Sequence, residues 1–188
     1  MGQIKNISIE NEIKQDLYFI TTVTGGRCPY FIEDIFCELF IEVLFFAKSI
    51  YHFDLSGYKI NPDHIHLILR PHGVNSISNI MASIKRNYTR YHNNLTKGKI
   101  LLRNEECVFN KLEEKFFSHI NNLGKLQSDF FNKYNNPITK KFSWQKSFHY
   151  TIIKDKKNHF IHLNYIQNQW KKHNLLENKY CFVDKNFF

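Results

Sequence analysis

Several features that would assign the chain to a class at once are missing from the sequence. The four cysteines form no Cys-x-x-Cys pair and lack the tight spacing of a disulfide-stapled secreted module, which favours free thiols in a reducing cytoplasm. They are Cys28, Cys37, Cys107 and Cys181. Charges among the first apolar residues argue against a secretory leader, and acidic residues interrupt the longest apolar stretch, Phe31 to Phe46. We therefore expect no membrane-embedded segment.

Acidic residues are also scarce relative to basic ones. The 188 residues include 17 Asp and Glu against 26 Lys and Arg, which gives a formal net charge of +9 and a pI near 9.3. Because the basic residues are spread along the chain, they are typical of a surface that binds a polyanion, although solubility alone is the simpler explanation. Hydrophobic residues at 43% and aromatic residues at 16% exclude a disordered or collagen-like chain. The length suits one domain with a packed core, spanning residues 1–188.

Hydrophobic periodicity predicts the element order βαββα, then a helical insertion, then βα. The strands are predicted at residues 17–24, 53–60, 64–69 and 147–154, and the helices at 30–50, from 76 onward and at about 158–173. The polar segment at about 96–141 keeps a helical period and forms the insertion, with Gly98 and Gly124 as candidate breaks. This order indicates the α+β class: a ferredoxin-like antiparallel sheet with helices packed on one face, and an insertion before the last strand.

The two sides of the second predicted helix differ in character. Ser76 suits the cap position at its start, and apolar residues such as Ile80 and Ile84 recur on one side at helical spacing. The other side is basic, which fits contacts to phosphates. The residues that we predict to contact nucleic acid are Lys85, Arg86 and Arg90 on this helix, and Lys171 and Lys172 near the end of the final helix.

Two histidines in the second hairpin strand form the first candidate site. Side chains alternate along a strand, so His64 and His66 point to the same face, where both can bind one ion. Ile65 points the other way, into apolar packing. A divalent ion also needs a further ligand and open positions for a phosphate oxygen and water. The simpler explanation of the pair is two hydrogen-bonded histidines on a polar sheet face.

The final helix carries a tyrosine that could act as a nucleophile. Tyr165 and Gln169 lie four residues apart and therefore stack on one face of a helix. A phenol beside a metal-bound phosphate can attack phosphorus in line and form a phosphotyrosine bond, while the ion stabilises the leaving 3′ oxygen. Because a free phenol has a pKa of about 10, the site must favour the phenolate through the metal or through lysines such as Lys171 and Lys172.

The sequence leaves alternatives to this nucleophile open. A half-buried aromatic is the simpler explanation of Tyr165, since the chain contains ten tyrosines. Tyr88 and Tyr91, on the second helix, are rival nucleophiles. The inward positions of the final helix are predicted to be Phe160, Leu163, Ile166 and Trp170.

Taken together and in order, these motifs resemble the HUH-superfamily single-tyrosine transposases, especially the REP-associated tyrosine transposases and their insertion-sequence relatives. Asn61 to Leu69, with the sequence NPDHIHLIL, resembles the family's His-hydrophobic-His strand, and Ser76 to Arg86 resembles the helix that follows. Near the end, Trp144 to Ile153 and Tyr165 to Gln169 resemble its tyrosine-helix region. The resemblance covers roughly residues 18–90 and 142–176, and the joint occurrence of the motifs is specific where each alone is weak.

The resemblance implies an enzyme that nicks and joins single-stranded DNA bearing a hairpin, through a covalent 5′-phosphotyrosine intermediate. It implies Mg²⁺ or Mn²⁺ as the cofactor, with His64, His66 and Gln169 as ligands. It also implies Tyr165 as the nucleophile. A homodimer stays open, since some relatives supply the tyrosine helix from the partner subunit and others act alone. The expected location is the cytoplasm of a bacterial or archaeal cell.

Two departures and two alternatives accompany the resemblance. The family's tyrosine motif often continues Asn-Pro, whereas Gln169-Trp170 stands here, which predicts that the helix runs on. The insertion is longer than expected, so its role as a lid, a dimer contact or a hairpin clamp stays open. One alternative is a descendant that only binds hairpin DNA. The other is an RNA-binding ferredoxin-like domain that stacks bases on sheet aromatics, which would leave the imidazoles unexplained.

Overall fold

The computed structural model describes residues 16–99, 114–134, 141–172 and 179–187, which form a five-stranded antiparallel sheet with helices. The strands are β1 (Leu17–Val23), β2 (Asp54–Ile60), β3 (His64–Arg70), β4 (His149–Ile153) and β5 (Cys181–Val183), in the spatial order β4-β1-β3-β2-β5. The predicted α+β class and the predicted β2–β3 hairpin are confirmed. The short edge strand β5, which pairs with β2, is an addition that the sequence pattern did not predict.

The helices follow the predicted order, with shifted boundaries. They are α1 (Asp34–Tyr51), α2 (Ile77–Leu95), α3 (Glu114–Lys133), α4 (Lys156–Gln167) and the one-turn α5 (Gln169–Lys172). α1 begins later than predicted because Glu33 is extended and separates it from a short 3-10 turn at Tyr30–Ile32. α2 begins as predicted, with the Ser76 hydroxyl accepting a hydrogen bond from the Asn79 N–H. Within the described ranges, no helix has the length and apolar character needed to cross a membrane.

The two faces of the sheet carry different layers. Alternation along β3 sends Ile65 and Leu67 into the main core with α1 and α2, while Ile68 belongs to a second cluster with Leu163 and Ile166 of α4. α3 packs on α1 and extends the first layer. The prediction of helices on one face therefore describes α1 and α2, and α4 lies on the opposite face, where the two histidines of β3 also lie.

The described part of the predicted insertion is the long helix α3. Leu123 and Phe130, two positions of its helical period, are buried against the core. Gly124, a candidate break, lies inside the continuous helix, so that expectation was wrong. Gly98, with a φ of 68°, follows the end of α2, where its left-handed backbone fits a helix terminus. Residues 100–113 and 135–140 of the insertion lie outside the described residues.

Gly57 allows α4 to approach the sheet closely. A Cβ added at this residue would lie 2.9 Å from Ile166 Cδ1 and 3.0 Å from the Phe182 carbonyl oxygen. Both distances are shorter than ordinary carbon contacts, so α4 or β5 would have to move. The closeness of α4 to β2 matters for function because α4 carries Tyr165.

We expect Gly57→Ala to destabilise the fold by about 1–3 kcal/mol, because the added methyl group overpacks the contact between β2 and α4. The measurement is urea denaturation. Gly124→Ala is the control: no atom lies within 4 Å of its added Cβ, and alanine in a helix interior should stabilise by roughly 0.5–1 kcal/mol. Equal stability of the Gly57→Ala variant and the wild type would show that α4 is not held against the sheet as described.

Candidate active site

The two histidines of β3 lie together on the sheet face that α4 covers. His64 is the first residue of β3 and His66 the third, and their ring centroids are 4.9 Å apart with the planes at 83°. They are 8% and 3% exposed, respectively. The strand alternation that the sequence indicates therefore brings two imidazoles into one place, and their burial means that the surrounding side chains control which ring nitrogens can bind a ligand.

Asp63 fixes the hydrogen-bonding state of His64. Its Oδ1 lies 2.6 Å from His64 Nδ1, and its Oδ2 accepts a hydrogen bond from Arg27 at 3.1 Å. Burial raises the pKa of the Asp63 carboxyl, but the hydrogen bonds from His64 and Arg27 outweigh it and hold the pKa below its usual value. An ionised carboxylate favours the proton on Nδ1, so the lone pair of His64 is on Nε2. That nitrogen lies 3.0 Å from Nδ2 of Asn61.

His66 is oriented by neighbours on β1. The Thr21 hydroxyl lies 2.9 Å from His66 Nδ1, and the Phe19 ring stacks on the imidazole at 5.2 Å with an interplanar angle of 18°. His162 of α4 also stacks on Phe19, at 4.4 Å. Because Thr21 engages Nδ1, coordination of an ion by His66 would use Nε2, and the aromatic stack restricts how the ring can turn.

Tyr165 of α4 lies beside His66 within the same chain. Their ring centroids are 5.4 Å apart with the planes at 73°. The Tyr165 and Phe19 rings pack edge to face, with centroids 5.8 Å apart. Tyr165 is 40% exposed. A phenol that touches a buried imidazole and still reaches solvent can meet a substrate bound at the histidines.

The helix that carries Tyr165 is interrupted before Gln169. α4 ends at Gln167, Asn168 leaves helical geometry with φ −100° and ψ 9°, and the one-turn α5 begins at Gln169. The prediction of an uninterrupted helix to residue 173 was therefore wrong at Asn168. Gln169 is 1% exposed. Its role as a metal ligand stays a prediction.

The inward face of α4 is narrower than predicted. Leu163 and Ile166 are buried as predicted, and Trp170 of α5 is half-buried. Phe160, predicted to face inward, is 56% exposed, so that position was wrong. Only Leu163 and Ile166 of α4 reach the apolar cluster on this face of the sheet, so the buried stripe is narrower than the one that a 3.6-residue period marks.

The rival tyrosines on α2 are both buried in the main core. Tyr88 is fully buried, donates a hydrogen bond to the Phe36 carbonyl at 3.3 Å, and has its pKa raised well above the usual value by that burial. Tyr91 is 2% exposed, and its hydroxyl accepts a hydrogen bond from Arg90. Neither phenol can reach a DNA phosphate without opening the core, which leaves Tyr165 as the exposed candidate.

Lys85 ties the segment before β4 to α2. Its ammonium donates hydrogen bonds to the backbone carbonyls of residues 145, 146 and 147, at 2.7, 3.4 and 3.2 Å. Partial burial lowers its pKa. Lys85 also lines the groove that Arg86 and Arg90 line, and its contact to nucleic acid stays a prediction.

The other predicted basic residues lie on two surfaces. Arg86 and Arg90 are exposed and line a groove of about 550 Å³, together with Lys141 and Trp144. Trp144 pairs with Thr24, whose N–H donates to the Asp63 carbonyl, so this groove adjoins the turn before His64. On α5, Lys171 is exposed, with its ammonium 5.3 Å from the Trp170 ring centroid, and Lys172 follows it.

Sequence reasoning did not identify the residues that support the site, which include Thr21, Phe19, His162 and Asn61. It also missed Lys59, which pairs with His66 across the hairpin, is 2% exposed, and has its pKa lowered to about 8 by burial. Alternation along β2 could have placed Lys59 on the face of the histidines, given the hairpin register. The described residues contain no cluster of three or more His, Cys, Asp or Glu able to hold a metal.

Comparison with known proteins gives a family and a fold. Residues 13–105, about half of the chain, match the family of IS200-like transposases; this match includes both histidines but not Tyr165. A REP-associated tyrosine transposase bound to a REP hairpin has a similar structure, with a TM-score of 0.50 and 18% identity over 94% of this chain and 76% of that chain. A protein of Deinococcus radiodurans R1 named as a transposase gives a TM-score of 0.46 and 14% identity, over 90% of this chain and 98% of that chain. No curated protein matches the sequence. At these identities, the structural similarity shows the fold alone.

Proposed function

Because the chain belongs to the IS200-like transposase family, we propose that it nicks and joins single-stranded DNA bearing a hairpin, with Tyr165 as the nucleophile. The observation that supports this proposal best is the contact between the Tyr165 ring and His66, at 5.4 Å, in a part of the chain where the phenol is still 40% exposed. The REP-associated relative has a hairpin bound, which supports the choice of substrate.

We propose Mg²⁺ or Mn²⁺ as the cofactor, held by His64, His66 and Gln169. The side chains fit such an ion: Asp63 and Thr21 engage the Nδ1 atoms of the two histidines, which directs coordination of an ion to their Nε2 atoms. Amide-oxygen donors suit Mg²⁺ and Mn²⁺, and imidazole donors suit first-row transition ions, so the mixed donor set favours Mn²⁺ over Mg²⁺. When bound, the ion supplies charge stabilisation at the phosphate and at the leaving oxygen.

The chain's own groups account for the covalent steps. The Tyr165 oxygen attacks phosphorus, its proton passes to solvent, and the bond from phosphorus to the 3′ oxygen breaks. The 3′ oxygen takes up a proton and leaves as a hydroxyl, and the DNA stays attached by a 5′-phosphotyrosine ester. Because the ester conserves the energy of the broken linkage, attack by another 3′ hydroxyl joins the strand to a new end and restores the phenol.

Basic side chains on two surfaces would hold the DNA. Arg86 and Arg90 in the groove along α2 suit the phosphate backbone of the hairpin, since arginine forms paired hydrogen bonds to phosphate. Lys171 and Lys172 on α5 suit the strand near Tyr165. A homodimer is not needed to complete this site, since the phenol and the imidazole meet within one chain.

The alternative of an RNA-binding sheet has less support. That function uses exposed aromatic rings on the open face of a sheet as stacking platforms. Here α4 covers the face, and the ring of Phe19 is stacked with His66 and His162. A protein that only binds hairpin DNA would have the same fold as the proposed nicking enzyme and would lack only its chemistry. An experiment must therefore distinguish these two functions.

The test is adduct formation by the full-length protein with a hairpin-bearing single-stranded oligonucleotide. We expect a covalent protein–DNA species, stable to denaturing electrophoresis, with Mn²⁺ or Mg²⁺, and none after chelation with EDTA. Hairpin binding, measured in parallel by fluorescence anisotropy, should persist in EDTA, because the arginine groove does not use the ion. Tight binding without any adduct under all conditions would favour the binding-only protein.

A further inference from the structure

We propose that the side-chain oxygen of Asn61 is an additional ligand of the cation at His64 and His66. This inference rests on the proposed cation site and adds a residue to it. Asn61 lies at the end of β2, directly before the Pro62-Asp63 turn, and its N–H donates to the His64 carbonyl at 2.9 Å. The backbone thus fixes Asn61 opposite His64, on the strand face that carries both histidines.

The side chain of Asn61 is buried, and only one of its two polar atoms has a hydrogen-bond partner among the described residues. Asn61 is 1% exposed, and its Nδ2 lies 3.0 Å from His64 Nε2. Its Oδ1 is also buried and has no hydrogen-bond partner among the described residues. Because only one end of the amide is held, a half turn that exchanges Oδ1 and Nδ2 breaks no hydrogen bond among the described residues other than the one to His64.

The distance between the two side chains matches the geometry of a shared ion. Around an octahedral ion that binds its ligands at about 2.1 Å, two neighbouring ligands are about 3.0 Å apart. The Asn61 amide lies at that distance from the nitrogen of His64 whose lone pair is available. Rotation of the amide by a half turn exchanges Nδ2 and Oδ1, which places the oxygen beside Nε2 and removes an N–H donor from it.

With Asn61 as a ligand, fewer coordination positions of the ion remain for the substrate. Two imidazoles and two amide oxygens, from Asn61 and Gln169, occupy four of six octahedral positions. The remaining two suit one phosphate oxygen and one water. Neutral ligands leave the full charge of the ion for the phosphate, whereas carboxylate ligands would offset part of it.

The first test measures Mn²⁺ affinity of the full-length protein without DNA, by electron paramagnetic resonance of the free ion. We expect Asn61→Leu to bind Mn²⁺ at least about tenfold more weakly than wild type, and Asn61→Asp to bind as well or better, because it keeps the oxygen and adds a charge. If the amide merely capped Nε2, Asn61→Leu would bind Mn²⁺ as tightly as the wild type or more tightly, and that result would overturn the proposal.

His64→Ala separates this inference from the proposed function. If the wild type binds no Mn²⁺, or His64→Ala binds it as the wild type does, the cation site itself is wrong and the role of Asn61 is wrong with it. If His64→Ala loses affinity and Asn61→Leu does not, the cation site holds and the role of Asn61 is refuted.

The second test detects coordination directly and does not depend on Asn61→Leu folding well. Asn61→Cys should give a new thiolate-to-cadmium ultraviolet absorption with Cd²⁺, above the background of the natural cysteines, and Mn²⁺ in excess should reduce it. Asn79→Cys is the control, because Asn79 is exposed on α2. An absorption in Asn61→Cys no greater than in Asn79→Cys would overturn the proposal.

Discussion

Tyr165→Phe should abolish the covalent adduct, with the rate of formation falling by at least about 10³-fold, to the background of the assay. The substitution removes one oxygen and keeps the ring that contacts His66 at 5.4 Å and Phe19 at 5.8 Å. Packing of α4 should therefore be unchanged, and the loss can be assigned to the nucleophile. Denaturing electrophoresis with an oligonucleotide labelled at its 3′ end, the end that stays on the protein-linked strand, measures the adduct, and anisotropy should show wild-type hairpin affinity.

Tyr150→Phe is the matched control for this substitution. Tyr150 is a second exposed tyrosine, on β4, and it pairs with Ile20, whose side chain faces the core layer of α1. It therefore lies on the sheet face opposite His66, and its loss should leave the adduct unchanged. An adduct that persists in Tyr165→Phe at the wild-type rate would refute the assignment of the nucleophile.

Tyr88→Phe is expected to change the stability of the protein and not the rate of adduct formation. The Tyr88 phenol is fully buried and donates to the Phe36 carbonyl of α1, so Tyr88→Phe removes one buried hydrogen bond, while the carbonyl keeps its place in the helix. We expect a loss of stability of about 0.5–1.5 kcal/mol and, at temperatures where the variant is folded, an unchanged rate of adduct formation. Periodicity places Tyr88 on the apolar side of α2 with Ile80 and Ile84, and the sequence left it open as a nucleophile only because its spacing from the histidines did not exclude it.

The parts of the site that lie within one element could be predicted from the sequence. The two-residue spacing of His64 and His66 determines that they share a face once the segment is a strand, because alternation is a property of the extended backbone. The Asn61-Pro62-Asp63 turn and the capping Ser76 likewise act over a few residues, and the structure has both where the sequence indicates them. The order of motifs then gave the family.

Parts that depend on pairing between distant segments could not be predicted in this way. Thr21 reaches His66 only because β1 pairs with β3 in one register, and nothing within residues 17–23 specifies that partner. The three-residue β5 has too few positions to show a period. The break at Asn168 was missed because no proline or glycine marks it, and asparagine ends a helix only when tertiary packing favours it.

Lys85 shows the same limit for charged residues. A basic side of a helix is evidence for phosphate contacts only if its cations face solvent. The sequence shows which residues share a side of the helix, but not which segments of the chain pack over that side. The segment at residues 145–147 returns along α2 and presents three carbonyls to the Lys85 ammonium. Arg86, one residue away, has no such segment over it and is exposed. A prediction of DNA contacts from composition therefore applies to the surface as a whole and does not identify the individual residues that make them.

His66→Ala should remove both cation binding and adduct formation, whereas Thr21→Val should weaken them by degrees. The imidazole is a proposed ligand, so its loss should lower Mn²⁺ affinity beyond the roughly 10- to 100-fold that a supporting hydrogen bond contributes. Thr21→Val removes only the hydroxyl 2.9 Å from His66 Nδ1 and keeps the shape of the side chain, so its effect should fall within that smaller range. Mn²⁺ titration of the two variants, with and without hairpin DNA, measures the difference.

The response of the two variants to excess Mn²⁺ distinguishes a lost ligand from a weakened one better than their Mn²⁺ affinities alone. If the ion is held through His66 Nε2, excess Mn²⁺ should restore adduct formation in Thr21→Val, because the ligand is present and only its orientation is weakened. The same excess should fail in His66→Ala, where the ligand is gone. Equal Mn²⁺ affinity in His66→Ala and wild type would mean that the paired imidazoles are a hydrogen-bonded feature of the sheet face, and the phenol beside them would then have no ion with which to act.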